Sequence, residues 1–106
     1  MQQLDATFAA LADPTRRAIV ARLASGETSL SALAQPFDMS LTAVSKHVRV
    51  LCDAGLVAME KRGRTRHCRL DAVPMREASD WLEHYRSFWT DQFGSLADYL
   101  AAEDER

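Results

Sequence analysis

Between residues 46 and 69 the chain gathers seven basic side chains, Lys46, Arg49, Lys61, Arg62, Arg64, Arg66 and Arg69, against two acids, Asp53 and Glu60. Such a local excess is suited to anion capture, because guanidinium and ammonium groups donate charge-assisted hydrogen bonds to phosphate oxygens. The formal net charge of the chain is nevertheless −2, since residues 71–106 hold nine acids against three arginines. A basic middle joined to an acidic end is the pattern expected when the middle meets a polyanion and the end faces away from it. Nothing in the sequence suggests catalysis. It has no paired carboxylates and no Ser/His/Asp set, and Gly26, Gly55, Gly63 and Gly94 are too scattered to form a phosphate-cradling loop. No enzymatic activity and no cofactor are expected.

The elements that must position these cations follow from periodicity and punctuation. Leu4, Phe8, Leu11 and Ala12 recur at helical spacing. Asp13-Pro14 then opens a second helix, with Asp as the cap and Pro at the first helical position, and Ser25-Gly26 closes it. Thr28 or Ser29 caps a third helix carrying Leu30, Leu33, Ala34 and Phe37, which Pro36 must shorten or bend. After a break at Asp38-Met39-Ser40, where Asp38 could adopt left-handed geometry, a fourth helix runs from about Leu41 to Ala54 and stops at Gly55. Two strand-like runs, about 56–60 and 66–70, flank Lys61-Arg62-Gly63-Arg64-Thr65, which reads as a hairpin with a cationic tip. One long helix is predicted from Pro74 to about Ala101.

Two helices joined by a short turn, the second presenting short polar and basic side chains, fit the geometry in which the second helix enters a major groove. With Val44, Val48 and Leu51 turned to the core, the opposite face holds Thr42, Ser45, Lys46 and Arg49. Ser40 is placed to cap this helix near a phosphate, and Arg49 is long enough to reach a guanine edge. The expected architecture is mainly α with a two-stranded β-hairpin, a winged helix-turn-helix in the order four helices, two strands, one helix. Residues 1–106 form one domain, with the helix-turn-helix at 29–54 and the wing at 56–70. Its expected partner is double-stranded DNA with a pseudo-palindromic operator. The tip residues Arg62, Gly63, Arg64 and Arg66 are candidates for the backbone or a narrow minor groove.

The chain closely resembles the ArsR/SmtB family of bacterial winged-helix repressors. The run from Leu11 to Val20 is similar to that family's opening helices, the run from Ser40 to Leu51 to its recognition helix, and Ala54-Gly55-Leu56-Val57 with Arg62-Gly63-Arg64 to its wing. The match extends from about Phe8 to Leu70. The resemblance implies a homodimer that represses by operator binding and is often released by an effector, here unidentified. It places Ser45 and His47 at recognition-helix positions near DNA, and Ser40 and Leu41, at the start of that helix, are further candidate DNA contacts. His47 reads equally as a half-buried packing residue, and Asp13 and Arg16 fall in a motif whose role is mainly structural.

The chain departs from the metal-sensing members of that family. The third helix has Ala34-Gln35-Pro36-Phe37 and no thiol, and Asp80, Glu83, His84 and Asp91 do not reproduce the family's other ligand spacing, so no metal is expected. Cys52 and Cys68, the two cysteines, could serve a thiol-sensing repressor if one thiol were exposed and acidic. A winged helix that docks protein is the other alternative, and the basic tip speaks against it.

Trp81, Leu82, Tyr85, Phe88, Trp89, Phe93, Leu96, Tyr99 and Leu100 are more apolar surface than one face of a terminal helix can bury in a domain this small. With Leu4 and Phe8 they are the candidate dimer interface, so residues 1–12 and 74–101 are expected to be dimerisation helices. Trp81, Tyr85, Phe88 and Trp89 could instead line an apolar effector pocket. The opening residues show no charged-then-apolar leader, and no run approaches the roughly 20 apolar residues of a membrane span, so a cytoplasmic location is expected.

Overall fold

The computed structural model describes residues 2–104, and side-chain surroundings for all of these except 95–98 and 102–104. The helix α1 (Gln2–Leu11) is followed by α2 (Pro14–Leu23), the two-residue strand β1 (Thr28–Ser29), α3 (Leu30–Ala34) and α4 (Leu41–Asp53). Strands β2 (Val57–Arg62) and β3 (Thr65–Leu70) come next, then α5 (Val73–Glu83) and α6 (Arg86–Asp104). The architecture is the expected one, a mainly helical winged helix-turn-helix.

Each helix starts where its cap chemistry dictates. The Asp13 carboxylate accepts the Arg16 amide at 3.0 Å and Pro14 occupies the first turn of α2. Ser29 accepts from the Ala32 amide, and Ser40 from the Ala43 amide, each at 3.1 Å. At the far end of α4, Gly55 takes φ +79°, the Leu56 amide bonds the Leu51 carbonyl and the Gly55 amide bonds that of Cys52, a Schellman closure. The chain then turns directly into the wing, whose base is fastened by the Asp71 amide on the Leu56 carbonyl at 2.8 Å. Pro36 lies beyond the end of α3, which stops at Ala34, so the helix is short and Phe37 packs on the core from the turn. Asp38 does not use the left-handed geometry that the turn would tolerate, since no non-glycine residue described has positive φ.

The core is built from Ile19 of α2, Leu33 of α3, Val44, Val48 and Leu51 of α4, and Leu56, all with no exposed surface. The face of α4 assigned inward by periodicity is therefore the buried one. Cys68 is buried with it, and Thr7, the one buried polar side chain among the described residues, donates to the Gln3 carbonyl at 2.9 Å.

Two features differ from the sequence expectation. The sheet has three strands in the order β1-β3-β2, because Thr28 and Ser29 pair antiparallel with Cys68 and His67. A two-residue strand has too little alternation to be seen in sequence. The long terminal helix is broken in two at His84-Tyr85. There the amide bonds tighten to a three-residue step, His84 to the Trp81 carbonyl and Tyr85 to that of Leu82, before α6 resumes. No proline or glycine marks this break; the Trp81 and Tyr85 rings, with centroids 5.2 Å apart, lie against each other across it.

Candidate nucleic-acid interface

The hairpin between β2 and β3 is a two-residue loop of Gly63 and Arg64, closed by the Arg62–Thr65 pair. Gly63 has φ +63° whereas Arg64 keeps a negative φ, the pattern of a II′ turn, and the turn lifts Arg64 to the tip. Arg64 in the turn and Arg66 in β3 come to one side of the wing. That side faces the exposed flank of α4.

Between them lies a cleft of about 730 Å³. One wall is Leu41, Thr42, Ser45, Lys46 and Arg49 of α4, and the other is Arg64, Thr65 and Arg66 of the wing. Leu30, Ser31, Cys52 and Met59 contribute its floor, and Asp53 is the one acid on its lining. Thr42, Lys46, Arg49, Arg64 and Arg66 are exposed and Ser45 is half-buried. Four cations thus converge on a cleft whose floor is partly apolar, an arrangement that attracts a polyanion and brings its edge against short side chains.

The structure brings together seven of the predicted site residues, Leu41, Thr42, Ser45, Lys46, Arg49, Arg64 and Arg66, and places the other four outside the cleft. Ser40 spends its hydroxyl on the helix cap. Gly63 shapes the tip. His47 lies on the other flank of α4, half-buried against the start of α2, its Nδ1 at 3.4 Å from Arg16 Nη1 and 3.9 Å from the Asp13 carboxylate. Arg62 points away from the cleft and is held by Glu27 at 2.8 Å and Glu60 at 3.2 Å. Its hydrogen bonds to Glu27 and Glu60 hold the guanidinium still more firmly in the charged form. Arg69, exposed in β3, has no ion pair among the described residues.

Sequence reasoning missed Glu27 and the apolar floor. Glu27 meets Arg62 only because β1 pairs with β3, and that pairing had no signal. The role of Arg16 was legible in outline and is now specific. Its Nε donates to the Ala10 carbonyl at 2.6 Å and its Nη2 to that of Ala9 at 3.3 Å, while Arg17 donates to Leu11 at 2.8 Å, so two arginines close the open C-terminal carbonyls of α1. Asp13, at the same junction, has its carboxyl lowered by the hydrogen bond from the Arg16 amide, against some desolvation and with help from the His47 and Arg16 charges. Burial pushes the thiols of Cys52 and Cys68 up, with Asp53 adding to the first and Cys52 to the second.

The candidate dimer residues form an open apolar face. Phe8 of α1 packs edge-on against Trp81 of α5 at 5.8 Å, and Trp81 continues onto Tyr85. Leu4 and Trp89 are half-buried, whereas Leu82, Tyr85, Phe88, Phe93, Tyr99 and Leu100 are exposed, Phe88 at 68% and Phe93 at 67%. Leu96 falls outside the side chains described.

A helix-turn-helix presenting a basic, cleft-lining recognition helix beside an arginine-tipped wing defines a DNA-binding transcriptional regulator. Comparison with known proteins agrees: a family model described as a helix-turn-helix domain matches residues 11–60. The HTH-type transcriptional regulator Rv2034 of Mycobacterium tuberculosis is 37% identical over 101 residues, 95% of this chain and 92% of that protein. Among solved structures, the ArsR family transcriptional regulator RHA00566 superposes with a TM-score of 0.77 at 42% identity, covering 84% of this chain and 92% of that one. The homodimeric winged helix-turn-helix DNA-binding domain Mb0332 of Mycobacterium bovis, described as a possible ArsR-family regulator, superposes with a TM-score of 0.66 at 27% identity over 80% of each chain. The chain belongs to the ArsR/SmtB family of winged-helix transcriptional regulators, a family without enzymatic activity. No helix among the described residues is long and apolar enough to cross a membrane.

Proposed function

We propose that the protein is a homodimeric repressor that occupies a pseudo-palindromic operator, with α4 in the major groove and the Arg64–Arg66 side of the wing on the adjoining backbone. The observation that carries this reading is the shared cleft, where Lys46, Arg49, Arg64 and Arg66 converge from two elements onto one surface. The dimer is supported by the uncovered aromatic face of α1, α5 and α6, too large for a free monomer surface, and by the homodimeric state of the Mb0332 domain. A two-fold pair would set its two recognition helices about 34 Å apart, one turn of B-DNA, and would exclude other proteins from the site it covers. Repression then needs no contact with the transcription machinery beyond occlusion.

The test is duplex binding by fluorescence anisotropy across a salt series, combined with sedimentation of the free protein. With four cations per subunit on the two cleft walls, the logarithm of the affinity should fall against the logarithm of salt with a slope of about −5 to −7. Absence of duplex binding at low ionic strength overturns the DNA reading, and a single-subunit mass at micromolar concentration overturns the dimer.

The raised thiols of Cys52 and Cys68 work against the thiol-sensing alternative, since the thiolate is the reactive form. The cationic cleft works against a docking module for protein.

A further inference from the structure

Leu41 is the first residue of α4, half of its surface is exposed at 51%, and it lines the same cleft as the cations of α4 and the wing. Apolar surface that no part of the chain covers, on the N-terminal turn of a helix otherwise dressed with Thr42, Ser45, Lys46 and Arg49, calls for an apolar group on the partner. Of all the groups that base edges offer in the major groove, the one apolar member is the 5-methyl of thymine. We propose that Leu41 is a specificity-determining residue that selects thymine at one position of each half-site by packing on that methyl group.

This inference rests on the DNA-binding reading above. Helix geometry supports the assignment to Leu41. Residues 41 and 45 lie one turn apart on the wing-facing side, and Ser45 is too short to keep the base edge from Leu41. Its neighbour Thr42, also on the cleft, brings a smaller methyl beside a hydroxyl that water or a phosphate can satisfy. Lys46, Arg64 and Arg66, on the phosphates, supply affinity without sequence information, so a methyl-sized contact can bias the choice of site without being needed for binding.

The experiment starts by selecting duplexes from a randomised pool with the wild-type protein. Each thymine of the selected duplex is then replaced in turn by deoxyuridine, which keeps base pairing and removes only the methyl. Wild type should lose about three- to fivefold per half-site at one symmetry-related thymine pair, the worth of roughly one buried methyl. Leu41→Ala should bind thymine and uracil duplexes equally, with an unchanged salt slope and an unchanged melting temperature. Val50→Ala, which trims an exposed apolar side chain of α4 outside the cleft, should retain the discrimination. If no deoxyuridine substitution weakens wild type, or if Leu41→Ala still discriminates, this inference fails while the DNA-binding reading stands. If no duplex is enriched, the DNA-binding reading fails and takes this inference with it.

Discussion

Arg62 Nη1 stands 2.8 Å from the Glu27 carboxylate, which pins the outer end of β2 to the turn before β1. With Glu60 on its other nitrogen at 3.2 Å, this arginine of the wing is neutralised before any phosphate arrives. Replacing both acids by glutamine should release it. Duplex affinity at low salt should then rise and the salt slope should steepen by about 0.9 for each freed cation, roughly two per dimer. Arg62→Ala should weaken binding far less than Arg64→Ala. Equal losses from the two alanine variants would show that the Glu27 pair opens on DNA.

Arg64 and Arg49 should fail in different ways. Arg64→Ala at the hairpin tip should weaken all duplexes alike and reduce the salt slope by about one per subunit. Arg49→Ala should cost about 1–3 kcal/mol on the preferred sequence and little on random DNA, which relaxes the choice of base. Competition between a selected and a scrambled duplex measures both.

How much of this could be read from sequence depended on the range of the signal. The buried face of α4, its Ser40 cap and its Gly55 stop are set by residues within a turn of one another, and they fall where periodicity puts them. The convergence of Lys46, Arg49, Arg64 and Arg66 was legible because a helix and the hairpin that follows it belong to one motif. Three things were hidden. The Glu27–Arg62 pair needs a register between residues far apart in the chain, the break at His84-Tyr85 has no helix-breaking residue, and the orientation of His47 toward Asp13 and Arg16 depends on how α2 crosses α4.

Acid should weaken the junction of α1 and α2. Asp13 is lowered from the ordinary value of 3.8, chiefly by the Arg16 amide, so the folded state favours its charged form. Its contribution to stability is complete above the unfolded value and disappears as pH falls through the lowered folded value. The difference in urea midpoint between wild type and Asp13→Ala should therefore be constant near neutrality and shrink below about pH 4. A gap that stayed constant into strong acid would mean that the carboxylate charge is irrelevant to the cap.

The thiols should be slow. Burial raises both Cys52 and Cys68, so at pH 7 each is overwhelmingly the unreactive thiol. Iodoacetamide should label the folded protein much more slowly than the urea-unfolded chain, and dilute peroxide should leave duplex binding unchanged. Rapid labelling of Cys52 at neutral pH would reopen a redox role.

Truncating the core should be severe. Leu51 has no exposed surface and sits in the core that α2, α3, α4 and Leu56 share, so Leu51→Ala should cost about 2–5 kcal/mol in denaturant unfolding. Phe88→Glu, on an exposed ring, should shift the sedimentation mass toward one subunit and make the denaturant midpoint fall below that of wild type.

Among the described residues α6 packs closely on no other element of its own chain. Most helical stability in proteins comes from packing an apolar face, so in the proposed dimer α6 would owe its order to the partner subunit. In a cell the number of copies would then decide how much of each polypeptide is structured. A scarce regulator would have a melted tail and be open to proteolysis, whereas an abundant one would protect itself, so turnover would respond to dosage before any promoter is involved.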